Sequence, residues 1–229
     1  MKYAFKKTAI IILGGSIIFP DEIDWKFLKK FRAFINNWIK HKQFIIVTGG
    51  GRLSRVYQEA AEKIVSVTDE DKDWLGIHAT RSNAHLLRTI FRDLADPMVI
   101  DNRYKIDKLE YPITIASGSR PGWSTDYIGI ALAEDFKIPE VIIAGKPAYV
   151  YTKDNHIHKN AKPLISLTWT DYQKLIPRKW KPGIHAPVDP VGARLAKKKG
   201  ITAIIINGKN LKNFNNLLAG KDFKGSIIK

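Results

Sequence analysis

"IIVTGGGRLSRVYQEAA", residues 45–61, runs an apolar, β-branched segment straight into three glycines and then into a helix that opens on arginines. A strand that ends on a glycine turn and restarts as a helix is the repeating unit of a parallel α/β sheet. Three adjacent glycines weaken a helix start, since each costs roughly 1 kcal/mol relative to alanine inside a helix. Something must offset that loss. One offset is an ordinary tight turn. The other is a backbone laid open to an anion, whose charge meets free N–H groups and the positive end of the helix dipole. Arg55 stands about one helical turn beyond Gly51, where its forked guanidinium can reach such an anion.

Working outward, short apolar runs recur at "TAIIIL" (8–13), "QFIIV" (43–47), "PITIA" (112–116), "EVIIA" (140–144) and "TAIII" (202–206). Continuous apolar runs of strand length belong to strands buried on both faces. Helical periodicity fills the gaps, over 24–40, 52–64, 73–95, 124–135, 189–199 and 208–218. The pattern predicts an α/β fold with helices on both faces of a mostly parallel sheet, in which ligands sit beyond the carboxyl ends of the strands. Residues 1–229 read as one domain. Within it, 145–187 form a proline-rich, loop-rich insert with a hairpin around "YVYTKDNHIHK", suited to a lid or subdomain.

Composition narrows the function classes. The chain is 45% hydrophobic and 10% aromatic, enough for a real core and against disorder. Cysteine is absent, which excludes disulfides and thiolate metal sites and fits a reducing compartment. "AIIILGGSIIF" near the start is broken by Gly-Gly and followed by charge, so it reads as a buried first strand rather than a leader. No segment is apolar for long enough to span a membrane, and a cytoplasmic protein is expected. Formal charge is +16, from 38 basic and 22 acidic residues. Such a field attracts anions. The lysines are dispersed, however, which favours a solvated surface over a nucleic-acid track.

Three strand ends carry small residues: Gly14, Gly15 and Ser16; Gly49, Gly50 and Gly51; and Gly118 and Gly122 followed by Ser124, Thr125 and Asp126. One such turn means little, whereas three in one sheet favour phosphate binding. Neither a P-loop lysine pattern nor GxGxxG is present.

At these residues, and through "LGGS" (13–16), "TGGGRLSRVY" (48–57), "DWLGIHATRSNA" (73–84), "RPGWSTD" (120–126), "VYTKD" (150–154), "VDP" (188–190) and "GKDFKGSII", the chain resembles the amino acid kinase superfamily, in its uridylate (UMP) kinase branch of archaeal type. The resemblance implies a three-layer αβα sandwich and transfer of the ATP γ-phosphoryl group to UMP, with Mg2+ accompanying ATP. It implies that Gly49, Gly50, Gly51 and Arg55 hold the UMP phosphate. Asp73 would take the ribose, with Thr80 and Asn83 nearby and Thr125 bordering the acceptor. Gly14, Gly15 and Ser16 would line the transferring group. Asp126 and Asp189 would orient the phosphate-contacting groups and, through water, the magnesium, so no direct protein metal ligand is expected. Lys146, Tyr151, Lys153 and Asp154 fall on the donor-nucleotide side. A homo-oligomer, often a hexamer, is also implied, and the aromatic helix 24–40 could supply its interface.

Each position has a plainer rival. Asp73 fits an exposed helix cap, and Asp126 and Asp189 fit helix starts. His156 and His158 fit an exposed hairpin better than a metal pair, and the six tryptophans fit core or subunit contact. The chain also departs from the family's pattern. Ile12 stands where a lysine is usual, "GKPAYVY" where "TNVDGVY" is usual, and Asn155 where proline is usual. Arg120 or Lys146 could supply the missing charge. These departures keep open a catalytically weakened member that binds nucleotides or oxyanions as a regulator or storage protein. A nucleic-acid-binding protein rests on charge alone.

Overall fold

The computed structural model describes residues 1–153, 157–181, 183 and 186–229. The strands are β1 (Thr8–Leu13), β2 (Gln43–Thr48), β3 (Ile113–Ala116), β4 (Glu140–Gly145), β5 (Val150–Tyr151), β6 (Pro163–Leu164), β7 (Ser166–Leu167), β8 (Thr202–Asn207) and β9 (Ser226–Ile228). The helices are α1 (Gly15–Ile18), α2 (Trp25–Trp38), α3 (Gly51–Glu62), α4 (Asp69–Ile90), α5 (Thr125–Asp135), α6 (Trp169–Leu175), α7 (Pro190–Lys199) and α8 (Leu211–Leu218).

Seven strands form one sheet in the order β3-β2-β1-β4-β8-β9-β7. The first five are mutually parallel, with Ile12 opposite Val47 on one side and Ile143 on the other. The edge reverses: β9 runs antiparallel to β8, and β7 lies parallel to β9. Side chains alternate across a strand, so Ile11 and Leu13 meet one helical layer while Ile10 and Ile12 meet the other. Both sets are buried, which is why the strands read as unbroken apolar runs. The fold is the three-layer αβα sandwich, with α2, α4 and α8 covering one face and α5, α6 and α7 the other.

Helix ends follow local chemistry. Thr68 and Asp71 close a capping box on α4, several residues before Asp73, so Asp73 lies inside the helix and is not its cap. Asp189 caps α7, Pro190 takes its first position and Gly200 ends it in a left-handed conformation. Most of the apolar stripe of α2 serves the core, while Trp25 at its start is exposed. Phe27, Leu28, Phe31, Phe34 and Ile35 all turn inward into the core, where full burial is worth about 1.5–3 kcal/mol for each large apolar side chain.

The expected hairpin is present as β5 paired with β6, with Thr152 N–H donating to Lys162 O at 3.0 Å. Its tip, with Asp154 and His156, lies outside the described residues. Among the described residues no helix is long and apolar enough to cross a membrane.

Candidate active site

At the carboxyl edge of the sheet, four neighbouring strands end in turns that press directly on one another. Gly49 N–H donates to Leu13 O at 3.0 Å, and Gly14 N–H donates to Ala144 O at 3.0 Å. Gly208 N–H donates to Gly145 O at 2.8 Å, joining β8 to the row. A methyl group on Gly15 would overlap the Gly51 amide nitrogen and the carbonyl carbons of Gly49 and Gly50. Gly51 also sits at φ +67°, where side chains are disfavoured. Backbone-to-backbone contact is therefore the first reason for the triple glycine. A second use follows, because the Gly50 and Gly51 amides have no acceptor among the described residues. The ledge presents them at the start of α3, the positive end of that helix.

Two buried side chains brace this ledge from below. Asn83 Nδ2 donates to Gly49 O at 2.7 Å and to Gly50 O at 3.3 Å. Thr80 Oγ1 donates to Ile77 O at 2.6 Å and accepts from Gly118 N–H at 2.8 Å, and Thr48 Oγ1 donates to Thr80 O at 3.0 Å. The hydrogen bonds of Thr80 and Asn83 thus run to the chain itself. They couple the β2 turn to the β3 turn. Arg55 stands on α3, exposed and without an ion-pair partner among the described residues.

Asp73 reaches the same region from α4. Its Oδ2 accepts from Gly122 N–H at 2.7 Å and from Trp180 Nε1–H at 3.3 Å, while Oδ1 has no partner among the described residues. The carboxylate therefore pins the "RPGW" loop and the segment carrying Trp180 together.

On the opposite helical layer, Asp126 and Asp189 face each other at the starts of α5 and α7. Asp189 is 2% exposed. Its Oδ1 accepts from the N–H groups of Val191 (2.7 Å) and Gly192 (3.1 Å), and its Oδ2 accepts from the hydroxyl of Ser124. Ser124 in turn caps α5, accepting from Tyr127 N–H at 3.0 Å. One carboxylate thereby ties two helix N-termini together. Burial, and then the Asp189 carboxylate, push the Asp126 carboxyl well above the usual range. Thr125 is the first residue of α5 beside them.

Gly14, Gly15 and Ser16 form the β1 turn and the start of α1, between the Gly49–Gly51 ledge and the β4 turn. Lys146 follows β4, exposed, with its carbonyl accepting from Asn207 Nδ2 at 2.9 Å. Tyr151 lies on β5 and Lys153 is exposed beyond it; neither touches the ledge through a recorded hydrogen bond. Arg120 stacks on the indole of Trp123, 3.6 Å from its centroid. Ile12 is sealed in the core, since a methyl group on Gly129 of α5 would overlap its side chain. Of the six tryptophans only Trp169 is buried in the core, while Trp25 is 62% exposed and Trp74 is 40% exposed.

The sequence reading named Ser124 among the small residues of its turn without a role, and passed over Tyr172 and Gly208. Tyr172, fully buried, donates its hydroxyl to Val188 O and accepts from Val188 N–H, both at 2.7 Å, holding the residue before Asp189. Only Ser124 had a local signal, as a helix cap two positions before an aspartate.

Comparison with known proteins agrees with this fold. The profile of the Amino acid kinase family matches residues 7–98 and 113–207. The uridylate kinase of Sulfurisphaera tokodaii is 31% identical over 223 residues, covering 95% of this chain and 98% of that protein. The uridylate kinase of Thermococcus sibiricus is 29% identical over 220 residues, covering 94% and 96%. The crystal structure of uridylate kinase from Archaeoglobus fulgidus superposes with a TM-score of 0.81 at 26% identity, over 98% of this chain and 100% of that one. Glycine turns interlocked along one sheet edge, and a match over nearly the whole length to these relatives, lead to one assignment: the chain belongs to the amino acid kinase family.

Proposed function

We propose that residues 1–229 form one catalytic domain that transfers the γ-phosphoryl group of ATP to UMP, giving UDP and ADP. The observation that carries this reading is the pairing of a donor-rich ledge and an unpaired Arg55 with a carboxylate pair on the other layer. The phosphate of UMP is itself the nucleophile, so no general base is needed; the protein positions the reactants in line and neutralises charge.

The Gly50 and Gly51 amides and Arg55 grip the acceptor phosphate, while Gly49, Thr80 and Asn83 hold those amides in place. Asp73 takes the ribose hydroxyls through its free Oδ1, and Thr125 borders the nucleotide. Gly14, Gly15 and Ser16 line the transferring group, with Lys146, Tyr151, Lys153 and Asp154 toward ATP.

Asp126 and Asp189 suit magnesium, which favours one or two carboxylates plus substrate phosphates, and they would hold it through water. Bound there, Mg2+ would neutralise charge on the phosphates.

The assembly we favour is a homo-oligomer built on α3. That helix has no buried residue, and Val56, Tyr57, Ile64 and Val65 form an exposed apolar stripe along it and just beyond. Its place of action would be the cytoplasm, feeding UDP into pyrimidine nucleotide synthesis.

Coupled detection of ADP release over UMP, CMP, dTMP and AMP tests the activity. Turnover is expected with UMP, and absence of turnover with every monophosphate would remove the reading. The core-bound Ile12 favours a second reading, a nucleotide- or oxyanion-binding member without catalysis. Calorimetry showing UMP or oxyanion binding with no turnover would support it.

A further inference from the structure

A phosphoryl group passing over the β1 turn carries negative charge that some cation must meet, and β1 supplies none. Ile12 is 1% exposed and its side chain is wedged against Gly129. Arg55 belongs to the acceptor ledge, and Arg120 is stacked on Trp123 beyond it. We propose that Lys209, the residue after the β8 turn, is the cation that contacts the transferring phosphoryl group. This rests on the kinase reading above and adds a catalytic residue to it.

Two observations place Lys209 at the β1 turn. First, Gly14 and Gly208 press on the same atom. Gly14 N–H donates to Ala144 O, and a methyl group on Gly208 would stand 2.8 Å from that carbonyl oxygen. The glycine that opens the β1 turn and the glycine beside Lys209 are thus neighbours across one strand end. Gly208 is needed there because only a bare backbone lets β8 turn so close to β4.

Second, the ammonium is tethered at the junction of α1 and α2, on the Asp24 carboxylate that caps α2. Lys209 Nζ donates to Asp24 Oδ2 at 2.7 Å. The Asp24 N–H donates to Ile18 O, at 2.9 Å, and Ile18 ends the short helix that begins at Gly15. Lys146 has no comparable tether among the described residues. Lys209 is 44% exposed and Asp24 is 24% exposed, so the pair is open to exchange for a stronger anion. A lysine on its flexible four-carbon stem can leave a single carboxylate for a polyphosphate with several acceptor oxygens.

In the step itself, an oxygen of the UMP phosphate forms a bond to the γ-phosphorus of ATP. The bond from that phosphorus to the β,γ-bridging oxygen breaks, and its electron pair stays with ADP. Lys209 remains protonated throughout. It stabilises charge on the transferring oxygens and the leaving oxygen, and no proton needs to move.

The test is steady-state turnover of ATP and UMP by wild type, Lys209→Met, Lys209→Arg and Lys212→Met, with UMP affinity measured by calorimetry. Lys212 is an exposed lysine on α8 that controls for the loss of one surface charge. Lys209→Met is expected to lower kcat roughly a hundredfold or more, with unchanged UMP affinity and an unchanged melting temperature. Lys209→Arg should recover part of the loss, and Lys212→Met should match wild type. Turnover by Lys209→Met within about threefold of an active wild type would overturn this proposal and leave the kinase reading standing. An equal loss in Lys212→Met would overturn it too, by assigning the effect to net charge. If wild type itself fails to turn over UMP, the kinase reading falls and Lys209 with it. Should Lys209→Met fold poorly, Lys209→Arg decides alone, because a structural ion pair would be fully restored by arginine whereas phosphoryl contact would be restored only in part.

Discussion

Asp126 binds a proton in the folded protein more readily than in the unfolded chain, because burial and then the Asp189 carboxylate oppose its charge. A group raised in this way contributes stability that is complete below its unfolded pKa and is lost as pH rises through the folded value. Wild type should therefore lose stability across that window. Asp126→Asn, which carries no charge, should escape the loss. Thermal unfolding between pH 4 and 8 should show a higher melting temperature for the variant at neutral pH and a gap that closes in acid. If Asp126 meets magnesium as proposed, turnover should also fall roughly a hundredfold or more. Identical pH slopes for the two proteins would show that the carboxyl is not strained. At this scale the sequence was only partly legible. Glycines and aspartates could be named from their spacing, but the partners of Asp73 could not. Gly122 and Trp180 lie 49 and 107 residues away from it in the chain, and no local pattern announces such a meeting.

Interlocked turns make the β1 and β2 connections behave as one unit. Gly15→Ala would drive a methyl group into the backbone of Gly49–Gly51, where no flexible side chain can yield. A destabilisation of about 3 kcal/mol or more is expected from chemical denaturation, at the upper end for overpacking. A loss below about 1 kcal/mol would mean that the turns are not in contact. The α3 stripe makes a second prediction. Val56→Lys with Tyr57→Glu should shift the protein to a smaller species in sedimentation velocity without altering its folded far-ultraviolet spectrum, and an unchanged sedimentation coefficient would exclude α3 as the interface. The long strands and helices were legible because a doubly buried strand is apolar throughout and an amphipathic helix repeats every three to four residues. The short elements α1, α6, β7 and β9 were not. With as few as two residues in β7, periodicity has nothing to repeat, and β9 is recruited to the sheet by tertiary pairing with β8.

Over the whole molecule, a formal charge of +16 surrounds the proposed phosphate site. Dispersed lysines act through their summed field, which salt screens over about 10 Å at 0.1 M ionic strength. Raising salt well above that should lower kcat/KM for UMP roughly tenfold while kcat stays within about twofold. A flat profile would mean that the charge serves solubility alone. In the proposed reaction the acceptor phosphate is gripped by Gly50, Gly51 and Arg55. Calorimetric titration of UMP and of uridine into wild type and Arg55→Ala tests that grip most directly. Arg55 is exposed on α3, so its removal should leave the fold intact. UMP should bind wild type and lose at least about tenfold in affinity to the variant, in keeping with one lost charge-assisted phosphate contact, while uridine binds both weakly and alike. Equal UMP affinity for wild type and Arg55→Ala would contradict it.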